Sequence, residues 1–365
     1  MTKFILGSAL LLSLFICANA QRIDKPTLTP KPCTDSQTLV IQQGVGLHDQ
    51  KDFDGAIAKF NKVLQENPDC TTALYELSLS YYQKNDKTKA METAYKGSKY
   101  RSNDLPLFYQ MIANVIDDVG KPDEAIKIYF DAIKMLESDP SMAPHLSSLH
   151  FNLGVTYVRQ DKLNEAKASF KRSVETNPVY ASPHYMLSMI FFQSRYKIPA
   201  LLAAMRFISL EYASQRTQRA STLISQIASG STKKGKDGGV TIDLDLLGPS
   251  DEGSFGPAEL VLAITDDEIP AKDPKKKDLT PEELFADRIE TVTVMLDDKE
   301  KKNASTFVGK NYIPFMLELK KLGYVKPLAY LILTSNGNPN ALKWIGENEA
   351  YVKQFLDWSK NYAAK

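Results

Sequence analysis

The side chains best able to act as bases or metal ligands are the four histidines, His48, His145, His150 and His184, and all lie between residues 48 and 184. His150 and His184 read as packing positions. The spacing of the four matches no metal-ligand pattern. Residues 240–365 contain neither His nor Cys, which removes Ser-His-Asp and Cys-His nucleophilic chemistry from that segment, and nearly all zinc chemistry. Gly230 to Lys236 spells G-x-x-x-x-G-K, but Asp237 stands where Ser or Thr should hold magnesium, and neither a strand before it nor a helix after it is expected. Composition reads the stretch as a linker instead. Asp49 to Gly55 resembles the start of a calcium loop, yet the first ligand would be Gln50 and the twelfth Asn61. Asp243 with Asp245, and Asp266, Asp267 and Glu268, could form a metal site or a glycosidase pair; a solvated strand face or loop explains them more simply. No catalytic residue, no metal and no cofactor is assigned.

The elements that would position any site follow from patterning along the chain. It has 365 residues, 43% hydrophobic and 24% charged, an ordinary globular balance that excludes wholesale disorder and suggests two domains. Residues 1–20 read as a secretory signal: Lys3, an apolar run from Phe4 to Ile16, then Ala18-Asn19-Ala20 as the cleavage site. A lipoprotein signal at Cys17 is the alternative, disfavoured by the bulky Phe15 and Ile16. Without Lys3 the chain carries 44 basic and 44 acidic residues, which argues against a nucleic-acid partner or a polybasic membrane surface. No later run is long enough for a transmembrane span. The expected location is periplasmic or extracellular, in a bacterial envelope, soluble after cleavage near Ala20 and compatible with a membrane-associated complex.

Five segments beginning at Gln37, Thr71, Pro106, Ser147 and Ala181 share a frame of about 34 residues. Position 8 is always small (Gly44, Ser78, Ala113, Gly154, Ser188), and position 20 is always alanine (Ala56, Ala90, Ala125, Ala166, Ala200). Large apolar residues recur at positions 7 and 11. This pattern resembles the tetratricopeptide repeat (TPR), over residues 37–214. No segment has that family's tryptophan at position 4, and only the first and fourth have its proline, Pro68 and Pro178. The resemblance implies antiparallel helix pairs brought close by the small residues and stacked into an α-solenoid.

The family binds partners on the concave face, through positions 5, 9 and 12 of each first helix, which share one helical side. Here those positions hold Ile41, Val45 and His48; Tyr75, Leu79 and Tyr82; Gln110, Asn114 and Asp117; Phe151, Val155 and Val158; Tyr185, Met189 and Phe192. Outside the middle repeat the face is apolar and aromatic. The expected partner-binding groove is therefore Tyr75, Leu79, Tyr82, Asn114, Phe151, Val155, Tyr185, Met189 and Phe192, suited to an apolar or aromatic peptide or an amphipathic helix. Self-occlusion by residues 21–32 or by the C-terminal segment is the competing expectation. Cys33 precedes the first helix of the first pair and Cys70 follows its second, so the repeat arrangement places them side by side. An exported chain would join them as a disulfide, with two separate thiols as the alternative.

The remaining organisation is a leader, 21–36; the repeats with a capping helix, 37–228; a Gly/Ser/Lys linker, 229–239; and a C-terminal segment, 240–365. In the last, strands are expected at 240–246 and 259–265. Helices are expected from the capping box Thr280-Pro281-Glu282-Glu283, over 306–322 and 328–333, and as one helix over 340–362. The expected fold class is thus mainly α: a TPR-type solenoid followed by a small, mainly helical α+β domain. The function anticipated is that of an exported scaffold or adaptor for a protein or peptide. The alternatives are an envelope enzyme with a carboxylate site in the C-terminal domain, its repeats recruiting substrate, and a structural subunit of an envelope assembly.

Overall fold

The computed structural model describes residues 24–228, 232–234, 240–242, 251–263, 278–297 and 302–362. The chain divides into two compact units, Met1–Ser169 and Phe170–Lys365. The expected signal, residues 1–20, lies outside the described residues.

The helices of the first unit alternate as the repeat predicts: α1 (Asp35–Asp49), α2 (Phe53–Glu66), α3 (Thr71–Gln83), α4 (Lys87–Gly97), α5 (Leu105–Asp118), α6 (Pro122–Leu136) and α7 (Ala143–Arg159), with α8 (Leu163–Thr176) beginning in this unit. Ser78, Ala113, Ala56, Ala90, Ala125 and Ala166 are fully buried. Space explains why position 8 must be small. A Cβ on Gly44 would sit 2.5 Å from the ring of Phe60, itself fully buried on α2. In the second pair the Ser78 hydroxyl donates to the Ala90 carbonyl at 2.8 Å, so the close approach also satisfies a buried polar group. The second helices begin at side-chain caps: Asp52 accepts from the Gly55 amide and Asp86 from the Lys89 amide.

The turn inside each repeat has a common geometry. The residue at position 15 has positive φ in all five: Lys51, 65°; Asn85, 65°; Gly120, 83°; Asp161, 57°; Arg195, 65°. The next amide bonds back to the carbonyl at position 11: Asp52 to Leu47, Asp86 to Tyr81, Lys121 to Ile116, Lys162 to Tyr157 and Tyr196 to Phe191. This is the left-handed C-terminal cap that closes a helix and reverses the chain. Only Gly120 adopts it without a Cβ penalty.

The leader runs along the loops between repeats. The Thr27 and Leu28 amides donate to the Lys99 carbonyl, the Arg101 amide donates to the Leu28 carbonyl, and Asn67 reaches the carbonyls of Lys31 and Pro32. Cys33 and Cys70 are joined by a disulfide, their Cα atoms 5.6 Å apart.

The second unit contains the rest of α8, then α9 (Ala181–Gln193), α10 (Lys197–Leu210) and α11 (Gln215–Ala228). Its C-terminal helices are α12 (Gly256–Ala263), α13 (Pro281–Met295), α14 (Phe307–Asn311), α15 (Ile313–Lys321), α16 (Val325–Ser335), α17 (Pro339–Glu347) and α18 (Glu349–Asn361). The α10 helix is buried along nearly its whole length, because α9, α11, α16 and α18 all pack on it. The Thr280 capping box on α13 forms as expected. Of the strand expected over 259–265, the described residues 259–263 are helical instead: Phe255, Ala258 and Leu262 recur at helical spacing, are buried, and belong to a segment that packs as α12 against α13. The only strands among the described residues are the three-residue pair β1 (Thr232–Lys234) and β2 (Val240–Ile242), antiparallel. The α+β character expected of the C-terminal segment is therefore not confirmed. The helix expected over 340–362 is two, broken at Asn348, whose side chain caps the first by donating to the Trp344 carbonyl.

One buried cation ties this unit together. Arg206 on α10 is 2% exposed, and its guanidinium donates to the carbonyls of Pro178, Ser359 and Tyr362 and to the Ser359 hydroxyl at 2.8–3.1 Å. These carbonyls lie at or just past the ends of α8 and α18, where helix dipoles concentrate negative charge. Burial pulls its pKa down to about 10. Beside it, His184 is fully buried, its pKa pushed down to about 3 by burial and then by the Arg206 charge. Neutral, it donates from Nε2 to the Pro178 carbonyl at 3.0 Å and accepts at Nδ1 from the Tyr312 hydroxyl at 3.1 Å. It is a core residue, as its packing position implied.

Candidate binding face of the repeats

In the first unit the expected groove residues come from three successive first helices. Tyr75, Leu79 and Tyr82 on α3, Asn114 on α5, and Phe151 and Val155 on α7 are all half-buried. The Tyr75 ring meets Phe108 of the next repeat edge-on at 6.1 Å. Burial raises the pKa of its hydroxyl, followed by the charges of Glu76 and Asp104. Glu76 is pushed upward too, by burial and then by Asp104 and Asp49. At the edge of the face, His48 pairs with the Ser80 hydroxyl at 2.9 Å and packs on Phe53.

Between α3, α5 and α7 the face sinks into a polar pocket of about 180 Å³, lined by Tyr82, Asn114, Asp117, Asp118, Tyr129, Asn152, Val155, Thr156 and Arg159. The Tyr82 hydroxyl donates to Asp118 at 2.6 Å, and Tyr129 donates to Asn114 at 2.5 Å. Asp117 accepts from Thr156 at 3.0 Å and from Arg159 at 2.6 Å. Arg159 also reaches Asp118 at 3.3 Å, and Lys87 lies 3.6 Å from the same carboxylate. Burial, then the bond to Asp118 and its charge, push the Tyr82 hydroxyl up to about 12. The pocket thus balances two carboxylates with two cations, and its tyrosines stay protonated as donors.

Asn114 and Tyr82 were expected at this face; Asp118, Asn152, Thr156 and Arg159 were not. The signal for them was present, since Asp118 and Arg159 each follow position 12 by one residue. The inner side of a packed helix is wider than the three positions used to trace it.

In the second unit, Tyr185 and Met189 are half-buried and Phe192 is 39% exposed. Tyr185 packs on Phe207 of α10 at 5.1 Å, and the Arg216 guanidinium of α11 sits 5.7 Å from its centroid, held by Glu211 and the Ser182 hydroxyl. The cap helix α11 therefore lies against the edge of this last repeat. Asp243, Asp245, Asp266, Asp267 and Glu268 lie outside the described residues, as do Gly230 and the residues from Gly235 to Gly239. Among the described residues no three His, Cys, Asp or Glu side chains gather as a metal site, and no helix is long and apolar enough to cross a membrane.

Helix pairs with small contact residues, a shared left-handed turn and a partly apolar inner side define a tetratricopeptide-repeat α-solenoid. Residues 47–115 and 147–180 match models of the tetratricopeptide repeat. A TPR repeat-containing protein of Methanocaldococcus jannaschii is 27% identical over 143 residues, which cover 37% of this chain and 22% of that protein. The chain thus spans about a fifth of that relative's length. Among solved structures, PilF of Pseudomonas aeruginosa aligns with a TM-score of 0.44 at 19% identity, covering 53% of this chain and 84% of PilF. A thermophilic TPR protein of Thermus thermophilus aligns at 0.43 with 17% identity, over 52% of this chain and 98% of its own.

Proposed function

We propose that the protein is an exported, non-catalytic scaffold that takes a protein or peptide along the inner side of its first helices. One observation carries this reading. Half-buried apolar side chains, Tyr75 and Leu79 on one side and Phe151 and Val155 on the other, flank a polar pocket whose tyrosines and amides can meet main-chain groups. An extended segment or amphipathic helix with apolar anchors matches that alternation. The leader's hydrogen bonds to the inter-repeat loops support an open face within the first unit. Export rests on the residue pattern of 1–20 and fits the disulfide. Within the second unit, Tyr185, Met189 and Phe192 of the fifth repeat are proposed as partner-contacting positions in their own right, and the C-terminal helices as the part of that unit that packs on α10.

Tyr75→Ala combined with Phe151→Ala removes an anchor from each flank. Capture of partners from an envelope fraction by the purified chain should fall by about tenfold, corresponding to about 1.4 kcal/mol, with circular dichroism unchanged. Capture that persists in a folded double variant overturns the proposal.

A further inference from the structure

A second cavity lies in the C-terminal helices, apart from the repeat face. It is an open cleft of about 770 Å³ lined by Pro314, Glu318 and Lys321 of α15 and by Asp357, Trp358, Asn361 and Tyr362 at the end of α18. The spacing explains the two walls. Positions 314, 318 and 321 share one side of α15, and 357, 358, 361 and 362 share one side of α18.

The aromatic part of the cleft is rigid. The Trp358 indole is stacked on Phe315 at 5.3 Å and an interplanar angle of 19°. Tyr324 at 5.4 Å and Tyr362 at 5.2 Å brace it further. Phe315 is held in turn by the Arg206 guanidinium, 4.4 Å from its centroid. Around this ring stand groups that accept, the carboxylates of Glu318 and Asp357, and groups that donate, the Lys321 ammonium and the Tyr362 hydroxyl. Lys321 lies 3.6 Å from Glu318, and Asn361 donates to the Asp357 carbonyl at 2.7 Å, leaving its own amide oxygen to accept.

From this arrangement we infer that the cleft is a binding site for a neutral oligosaccharide. A pyranose ring presents one apolar side of C–H bonds, which complements the negative face of an immobilised indole. Its rim of hydroxyls donates and accepts in alternation, as the rim of the cleft does. Other ligand classes fit less well. Phosphorylated ligands would meet two carboxylates and one cation that is already paired. A lipid chain would leave those charged groups desolvated and unmatched. The volume falls within the range of small-ligand sites.

Trp344 and Trp358 are the only tryptophans, so full-length W344F reports on the cleft by fluorescence. It is titrated separately with chitotriose, cellotriose and maltotriose, while saturation-transfer NMR follows the same sugars on the unsubstituted chain. The expected result is a saturable response to at least one sugar, weakened about tenfold by D357A/N361A, whose positions are exposed and whose melting temperature should be unchanged. Three results would overturn the inference: no saturable response by either method up to about 10 mM sugar, equal binding by the double variant, or a response to a proline-rich peptide and to none of the sugars.

Discussion

Glu76 shows how the repeat face constrains single residues. Its carboxyl pKa is raised by burial, then by Asp104 and Asp49. A raised carboxyl pKa means that the folded state resists ionisation, so this group contributes stability only while protonated. That contribution is fully present below the unfolded pKa of about 4.3 and is lost as pH rises through the folded value. Glu76→Gln should therefore raise the melting temperature at neutral pH, and the gain should vanish below about pH 4. Thermal melts at both pH values check this, and an equal gain at both would refute it. In the polar pocket, Asp117 and Asp118 are both paired with Arg159.

At the level of helices, most of the repeat architecture could be read in advance because its rules act through side-chain volume. A small residue at position 8 and alanine at 20 are needed wherever two helix axes approach closely, and Gly44 against Phe60 shows the margin. The turn geometry was hidden because it acts through the backbone: Lys51, Asn85, Gly120, Asp161 and Arg195 share a φ but no side-chain chemistry. Lys51 is exposed and carries the penalty without visible benefit. Lys51→Gly should stabilise the protein by about 0.5–1 kcal/mol, the left-handed cost less the extra entropy of glycine, measurable by urea denaturation; a loss of stability would contradict the assignment of strain. The described part of the strand expected over 259–265, residues 259–263, was misread for another reason. A short apolar run does not distinguish strand from helix, and only packing on α13 decides it. The polar pocket was half visible, through Asn114 and Asp117, because tracing one residue per turn misses the shoulders of a helix.

At the scale of the whole chain, the two units are stabilised by different means. The first repeats an interface and seals its end with a disulfide and a leader pinned to the loops. The second gathers irregular helices around α10, with the Arg206 guanidinium bonded to the ends of α8 and α18. The disulfide has a mechanical corollary. Tension applied at the leader passes from Cys33 to Cys70 through sulfur, so α1 and α2, which lie between them, carry no load. In single-molecule pulling, the contour length released should fall short by about 130 Å until reductant is added, since the 37-residue separation is bypassed. The repeat nearest the anchored end would then hold its shape under a force that unravels its neighbours.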